Sequence, residues 1–211
     1  MKFENACFIS YPHPREKGGR LASLVREVYE AIKEELDGFV SEIVYFDEER
    51  LKLHDQYDKV LHDAICRSYC MIVIYCPEYG RRDYCRREFK LMQDISDKRR
   101  KLLGEVGEAT HFIIPISLVK RDKAPAELGQ DARNVLDLSA YLAQRPKRNL
   151  LKSNDDLYKG IMEIKQTIQE LRELLRQHPE VNGEHVSCCG LPLPAKGILP
   201  EWAEQAPSFP R

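Results

Sequence analysis

Residues 71–92 read MIVIYCPEYGRRDYCRREFKLM, and this stretch decides the fold class. The continuous apolar run from Met71 to Cys76 predicts a strand that lies centrally in a sheet and is covered on both faces. The proline that follows predicts a turn and a basic loop, and a helix is expected to begin at Asp83. Tyr84 and Glu88 are four residues apart, so they project from one face of that helix. Open parallel sheets place ligand chemistry at the carboxyl ends of their strands, which makes Glu88 the first candidate site residue.

The other segments alternate between strand and helix patterns. Short apolar runs bounded by turn signals predict four more strands, at residues 6–11, 43–46, 111–119 and 134–138. Apolar residues at three-and-four spacing predict further helices at residues 21–36, 57–65 and 155–177. Pro115 indicates that the fourth strand lies at an edge or ends early. This order predicts an α/β fold, an open doubly wound parallel five-stranded sheet with helices on both faces.

Composition limits the class of protein. The 211 residues carry 33 basic and 34 acidic side chains, a balance that gives no reason to expect a nucleic acid or a membrane as partner. No apolar run approaches the ~20 residues that a membrane helix requires, and the first ten residues lack a secretory signal. We therefore expect a cytoplasmic protein. The seven cysteines form no C-x-x-C pair, and we expect no metal site.

The end of the chain differs from the rest. Residues 178–211 are rich in proline and show no periodicity. This pattern predicts a domain at residues 1–177 and a C-terminal tail at 178–211 that is disordered or docked on a partner. The chain also lacks G-x-G-x-x-G, P-loop and G-x-S-x-G motifs. Dehydrogenase, P-loop NTPase and α/β-hydrolase functions are therefore disfavoured.

Several motifs resemble those of TIR (Toll/interleukin-1 receptor-like) domains, in one order and with consistent gaps over residues 3–177. The segment from Cys76 is similar to the family signature S-P-x-Y-x-x-S-x-W-C-x-x-E-L, with Tyr84 in place of the tryptophan. The matching residues are Pro77, Tyr79, Cys85 and Glu88. Other matching boxes are F-I-S-Y at 8–11, D-x-x-x-L at 47–51, A-I-x-x-S at 64–68, I-I-P-I at 113–116 and L-D-L-S at 136–139. The resemblance implies the flavodoxin-like fold of that family.

The resemblance also implies an activity and a site. In TIR proteins that are enzymes, the glutamate at the position of Glu88 is the catalytic residue that cleaves NAD⁺. We therefore expect an NAD⁺ glycohydrolase or ADP-ribosyl cyclase with NAD⁺ as substrate and no cofactor. The candidate substrate-binding residues are Ser10, Tyr11, Asp47, Arg50 and Tyr84. Ser10 and Tyr11 end the first strand, Arg50 is expected to meet a phosphate, and Tyr84 is expected to stack on nicotinamide.

An alternative function remains open at this point. The helix dipole alone favours a glutamate near a helix start, so Glu88 could have a structural role only. In that case the protein is a non-catalytic TIR adaptor that acts through TIR–TIR contacts. His54 replaces the glycine of a loop that helps TIR domains assemble, so this loop is expected to be reshaped. The small stand-alone size resembles bacterial Thoeris anti-phage TIR proteins. The implied partners are NAD⁺, other TIR copies and a separate effector that responds to an ADP-ribose-type product.

Overall fold

The computed structural model describes residues 3–13, 19–37, 42–46, 57–120, 124–125, 128, 136–140 and 155–182. The strands are β1 (Asn5–Ser10), β2 (Ile43–Phe46), β3 (Ser68–Tyr75), β4 (Ile113–Ser117) and β5 (Leu136–Asp137). The helices are α1 (Arg20–Leu36), α2 (Tyr57–Cys66), α3 (Pro77–Arg81), α4 (Asp83–Leu103), α5 (Glu105–Glu108), α6 (Asp155–Gln177) and α7 (Pro179–Asn182). None of the helices in these ranges has the length and apolarity that crossing a bilayer requires.

The five strands form one sheet in the order β2-β1-β3-β4-β5, and every neighbouring pair is parallel. The predicted α/β class and five-stranded parallel sheet are therefore confirmed. This order is the flavodoxin-like one, in which the strand sequence reverses direction between β1 and β3. In folds of this order ligands bind beside such a reversal, outside the carboxyl ends of the strands, which here means the ends of β1 and β3.

Helices cover the sheet on both faces. α1 and α6 pack against each other, and α6 also contacts β1 and β3. α2 and α4 form a second pair that contacts the same two strands. Every residue of β1, β3 and β4 is buried, as the apolar run at 71–76 predicts for a central strand. The core therefore fixes the positions of the β1 and β3 ends, where the candidate site lies.

One local prediction is wrong, and another is right in only one of its two alternatives. The segment after β3 is not a loop, because Pro77–Arg81 forms the short helix α3. Pro77 is the first residue of this helix, where a backbone N–H would have no partner within the helix. For Pro115 the prediction was an edge position or an early end: β4 is not an edge strand, since it pairs with β3 and β5, but it does end early, at Ser117 rather than at residue 119. Ser117 accepts a hydrogen bond from Leu138 on the β5 side, and backbone groups alternate along a strand. The backbone nitrogen of Pro115 therefore faces the same side, where the described residues of β5 pair with Ile116 and Ser117.

α4 begins at Asp83, as predicted, and ends at Leu103, after which Gly104 has a φ of 60°. Its basic last turns are not all solvated, because Arg99 is only 1 % exposed. The Arg99 guanidinium donates hydrogen bonds to the backbone oxygens of Cys66, Ser68 and Tyr69 at 3.2, 2.9 and 2.8 Å. It also lies 5.0 Å from the centre of the Phe3 ring and 5.4 Å from that of Phe112. Arg99 thus joins α4 to the connection between α2 and β3.

The predicted boundary between domain and tail falls at the end of α6. Beyond Gln177, the short helix α7 contacts α4, and its Val181 is buried in the core. Residues 183–211 lie outside the described part of the chain. The division into a domain at 1–177 and a tail at 178–211 stays a proposal.

Glu42 lies just before β2 and connects it to the beginning of β3 and to the C-terminal part of α6. Its carboxylate accepts hydrogen bonds from the Tyr69 hydroxyl at 2.7 Å and from Nε of Arg172 at 3.0 Å. Burial by itself raises the pKa of Glu42, but the hydrogen bonds from Tyr69 and Arg172 outweigh it and hold that pKa below the ordinary value. Burial and the Glu42 partner raise the pKa of Tyr69 to about 12, so its hydroxyl remains a donor at neutral pH.

Replacing Glu42 with glutamine is expected to lower the free energy of unfolding at pH 7 by about 1–2 kcal/mol, through loss of charged hydrogen bonds. A folded-state pKa below the unfolded one gives stability that is present above the unfolded pKa and is lost as pH falls through the folded pKa. Thermal melts from pH 7 to pH 3 should therefore show a smaller acid-side decline for Glu42→Gln than for the wild type. Glu170→Gln, at an exposed carboxylate, is the matched control. Parallel curves for the wild type and Glu42→Gln would contradict this role.

Candidate functional site

The candidate site is built where β1 and β3 end. Ser10 is the last residue of β1, and β3 ends at Tyr75, from which the chain turns through α3 into α4. α4 passes both strands and brings Glu88 to this edge of the sheet. The predicted helix and the predicted approach of Glu88 to the end of the first strand agree with this arrangement.

Hydroxyl groups from two elements hold the Glu88 carboxylate. Ser10 Oγ donates to Glu88 Oε2 at 2.5 Å, and the Tyr79 hydroxyl lies 2.7 Å from Ser10 Oγ. The same tyrosine hydroxyl lies 3.2 Å from the backbone oxygen of Cys85 in the first turn of α4. Burial raises the pKa of Tyr79 well above its ordinary value, so the phenol keeps its proton. β1, α3 and α4 therefore meet in one hydrogen-bonded chain that ends on the carboxylate.

Glu88 is more enclosed than the sequence suggested. The non-catalytic alternative rests on a glutamate near a helix start, but α4 begins at Asp83, so Glu88 lies beyond the first turn, and it is only 3 % exposed. The helix dipole is strongest within the first turn, so it does not explain this glutamate. A buried carboxylate without nearby water interacts more strongly with a developing positive charge, because the local dielectric constant is low.

Aromatic side chains lie beside the carboxylate. The Tyr11 ring is buried and stacks on Phe46 at 5.0 Å and on His13 at 4.8 Å between ring centres. His13 meets the half-buried Tyr84 edge to face at 5.4 Å, and its backbone N–H donates to the Tyr84 hydroxyl at 2.5 Å. Burial raises the pKa of Tyr84, so its hydroxyl stays neutral. Ser10, Tyr11, Tyr84 and Glu88 are thus brought together, as the sequence predicted.

Two of the predicted residues, Asp47 and Arg50, lie outside the described residues, as does His54. The described structure does fix the point where their loop rejoins the fold. Arg87 on α4 forms an ion pair with Asp58 in the first turn of α2, with Nη2 and Oδ2 2.8 Å apart. The start of α2 is therefore tied to the residue next to Glu88.

Two residues of the site were not identified from sequence as functional. Tyr79 matches a motif position, but it was placed in a loop, and no spacing rule shows that its hydroxyl reaches β1. His13 follows Pro12 in a short irregular segment, where no periodicity indicates direction. The available signal for Tyr79 was its place in the motif, three residues after the end of a buried strand and nine before Glu88.

The site's thiols are poor candidates for nucleophiles. Cys76 and Cys85 are buried and free, and burial raises the pKa of both thiols, which suppresses the thiolate at neutral pH. Across the described ranges, no group of three His, Cys, Asp or Glu residues has an arrangement that could hold a metal ion. Glu88 is consequently the ionisable group of interest at this edge.

The fold and the site together define a class of protein, namely a flavodoxin-like α/β domain with a carboxylate at its β1/β3 switch point. The family model of the TIR domain matches residues 8–151, more than half of the 211 residues. The chain therefore belongs to the TIR domain family. A comparison with curated proteins gives no significant match.

Proposed function

We propose that this TIR domain is an NAD⁺ nucleosidase, and that Glu88 is its catalytic residue. The observation that carries the proposal is the buried Glu88 carboxylate at the switch point, held by Ser10, with Tyr84 one helical turn earlier on α4. Parallel α/β sheets bind ligands at this position. Burying a charge there costs desolvation free energy, which a surface glutamate does not lose.

The chemistry needs one carboxylate. Cleavage breaks the bond between ribose C1′ and the pyridinium nitrogen, which takes both electrons, so nicotinamide departs neutral and needs no general acid. The ribose develops oxocarbenium character, as in glycoside hydrolysis. An ionised Glu88 offsets that positive charge and accepts hydrogen bonds from the ribose hydroxyls. Addition of water to C1′ gives ADP-ribose and releases one proton, and attack by an adenine nitrogen gives a cyclic product.

The other candidate residues have supporting roles in this proposal. Tyr84 bounds the nicotinamide side of the pocket, with its ring fixed by the hydrogen bond from the His13 backbone. The Tyr11 ring stacks on the His13 ring and so supports its position. Asp47 and Arg50 belong to the proposed site through the family motif, and in this proposal Arg50 pairs with a phosphate of NAD⁺.

Incubation of the purified full chain with NAD⁺ tests the proposal, with nicotinamide and ADP-ribose products resolved by chromatography. Nicotinamide release is the expected result, and the second product distinguishes hydrolysis from cyclisation. A wild-type protein that is inert toward NAD⁺ in every oligomeric state would reject the enzyme and leave the non-catalytic TIR adaptor. In the enzyme, the product acts as a signal to a separate effector, as in anti-phage defence.

Self-association is part of the proposal, because the loop with Arg50 and His54 serves both the pocket and a neighbouring TIR copy. Specific activity is expected to rise several-fold with protein concentration across the range in which oligomers form. Arg50→Ala and His54→Glu should lower activity without lowering the melting temperature. The measurement combines initial rates with light scattering in the presence of NAD⁺. Constant specific activity in a protein that stays monomeric would show that one chain holds the complete pocket.

A further inference from the structure

The hydroxyl groups around Glu88 have fewer protons than hydrogen-bond contacts. Ser10 and Tyr79 supply one hydroxyl proton each, and their oxygens make three contacts, with Glu88, with each other and with the Cys85 carbonyl. When Glu88 is ionised, the Ser10 proton is directed to the carboxylate. The 2.7 Å contact between the two hydroxyls then requires Tyr79 as donor and Ser10 as acceptor.

We propose that Tyr79 is a positioning residue for catalysis, which acts on Glu88 through Ser10. This inference rests on the proposed NAD⁺ cleavage and adds a residue to its machinery. By donating to Ser10, Tyr79 fixes the direction of the Ser10 hydroxyl, and that hydroxyl fixes Oε2 of the carboxylate. The carboxylate is thereby held in one orientation before the ribose charge develops, and such preorganisation is the source of electrostatic catalysis.

The position of Tyr79 suits this role. Its side chain is fully buried, so solvent does not replace the hydroxyl as a partner of Ser10. Its raised pKa keeps the donor proton in place. The ring packs against Tyr75 at 6.1 Å between centres, and this contact does not depend on the hydroxyl. Packing and hydrogen bonding can therefore be separated by one substitution, Tyr79→Phe.

The same chain of contacts also fits a protonated Glu88. With a proton on the carboxyl, each donor can point one step further, from Glu88 to Ser10, from Ser10 to Tyr79 and from Tyr79 to the Cys85 carbonyl. All three contacts are then satisfied. Removing the Tyr79 hydroxyl leaves Ser10 bonded to Glu88 but without its second hydroxyl partner in either state. The environment of the carboxyl group therefore depends on a residue that does not touch it.

The test measures Tyr79→Phe, Ser10→Ala and the double variant against wild type. Tyr79→Phe is expected to lower kcat for nicotinamide release about tenfold, with KM changed less than twofold, because orientation and not substrate binding is lost. In the Ser10→Ala background, Tyr79→Phe should cost less than a further twofold, since the path to Glu88 is already broken. Additive losses in kcat would overturn the inference, and so would a Tyr79→Phe protein with wild-type kcat.

Tyr69→Phe is the matched control, because it removes the hydroxyl of another tyrosine that is buried in the core, one that bonds Glu42. It should leave kcat unchanged. A second readout does not depend on activity. The ¹³C chemical shift of the Glu88 carboxyl, assigned by its loss in Glu88→Gln, is expected to change in Tyr79→Phe and not in Tyr69→Phe. If the Glu88 shift is unchanged in Tyr79→Phe, the positioning role of Tyr79 is rejected, even if the enzyme is active. If the shift changes in Tyr79→Phe but the wild type does not cleave NAD⁺, only the proposed function is rejected.

Discussion

Replacing Glu88 with glutamine is expected to lower kcat for nicotinamide release by about 10²–10³-fold, the usual cost of losing one preorganised electrostatic contact. Glutamine has the shape of glutamate, and its carbonyl oxygen can still accept the hydrogen bond from Ser10. What it lacks is the negative charge that offsets the oxocarbenium-like ribose. KM should change little, because the charge matters most in the transition state. Nicotinamide release at saturating NAD⁺ measures this effect.

The matched control is Asp94→Asn, at a half-buried carboxylate on the same helix that pairs with Lys90. It should leave turnover unchanged. Glu88→Gln should alter the free energy of unfolding by about 1 kcal/mol, since one hydrogen bond becomes neutral. A glutamate with a purely structural role predicts the opposite pattern, in which Glu88→Gln melts much earlier and the folded fraction keeps its specific activity. That outcome would remove Glu88 from the catalytic role.

Replacing Arg99 with alanine is expected to lower the free energy of unfolding by about 3–5 kcal/mol. The change removes a large side chain that is 1 % exposed, and it deprives three backbone carbonyls of a charged donor. It also leaves a void between the rings of Phe3 and Phe112. Urea denaturation, followed by circular dichroism, gives the value directly.

Lys101→Ala is the control for Arg99→Ala, because Lys101 is an exposed cation on the same helix and its loss should cost less than about 0.5 kcal/mol. Arg99→Lys adds a finer test. One ammonium group does not reproduce the planar fork that reaches three carbonyls, so most of the loss should remain. A fall of less than 1 kcal/mol for Arg99→Ala would show that the carbonyls find other donors at little cost.

The fold was predictable because its signals are local and repeated. The buried run at 71–76 indicated a central strand, and three-and-four spacing gave α6 its bounds at Asp155–Gln177. Pro115 did not mark an edge strand, because its missing N–H faces β5, whose described residues pair with Ile116 and Ser117. The burial of Arg99 near the end of α4 could not be predicted. Sequence shows a charge at Arg99 but not the three carbonyls that make its burial possible.

The candidate site was predictable in its motif residues and not in their connections. Glu88 and Tyr84 follow from helical spacing, and Ser10 and Tyr11 from the end of β1. The link from Tyr79 to Ser10 spans 69 residues and depends on how α3 leaves β3, which no local pattern encodes. His13 was missed because it lies in an irregular segment. Asp47 and Arg50 remain predictions from the family motif.

The bond from Ser10 to Glu88 joins residues that are 78 positions apart, and this distance has a consequence during synthesis. Ser10 leaves the ribosome several seconds before Glu88, at translation rates of about 5–20 residues per second. In that interval the first strand has no carboxylate to meet, and the later helix has no folded sheet to join until β3 is in place. The oriented carboxylate therefore exists only in a chain that has completed its central sheet, so a nascent chain that still lacks β3 and α4 cannot display it.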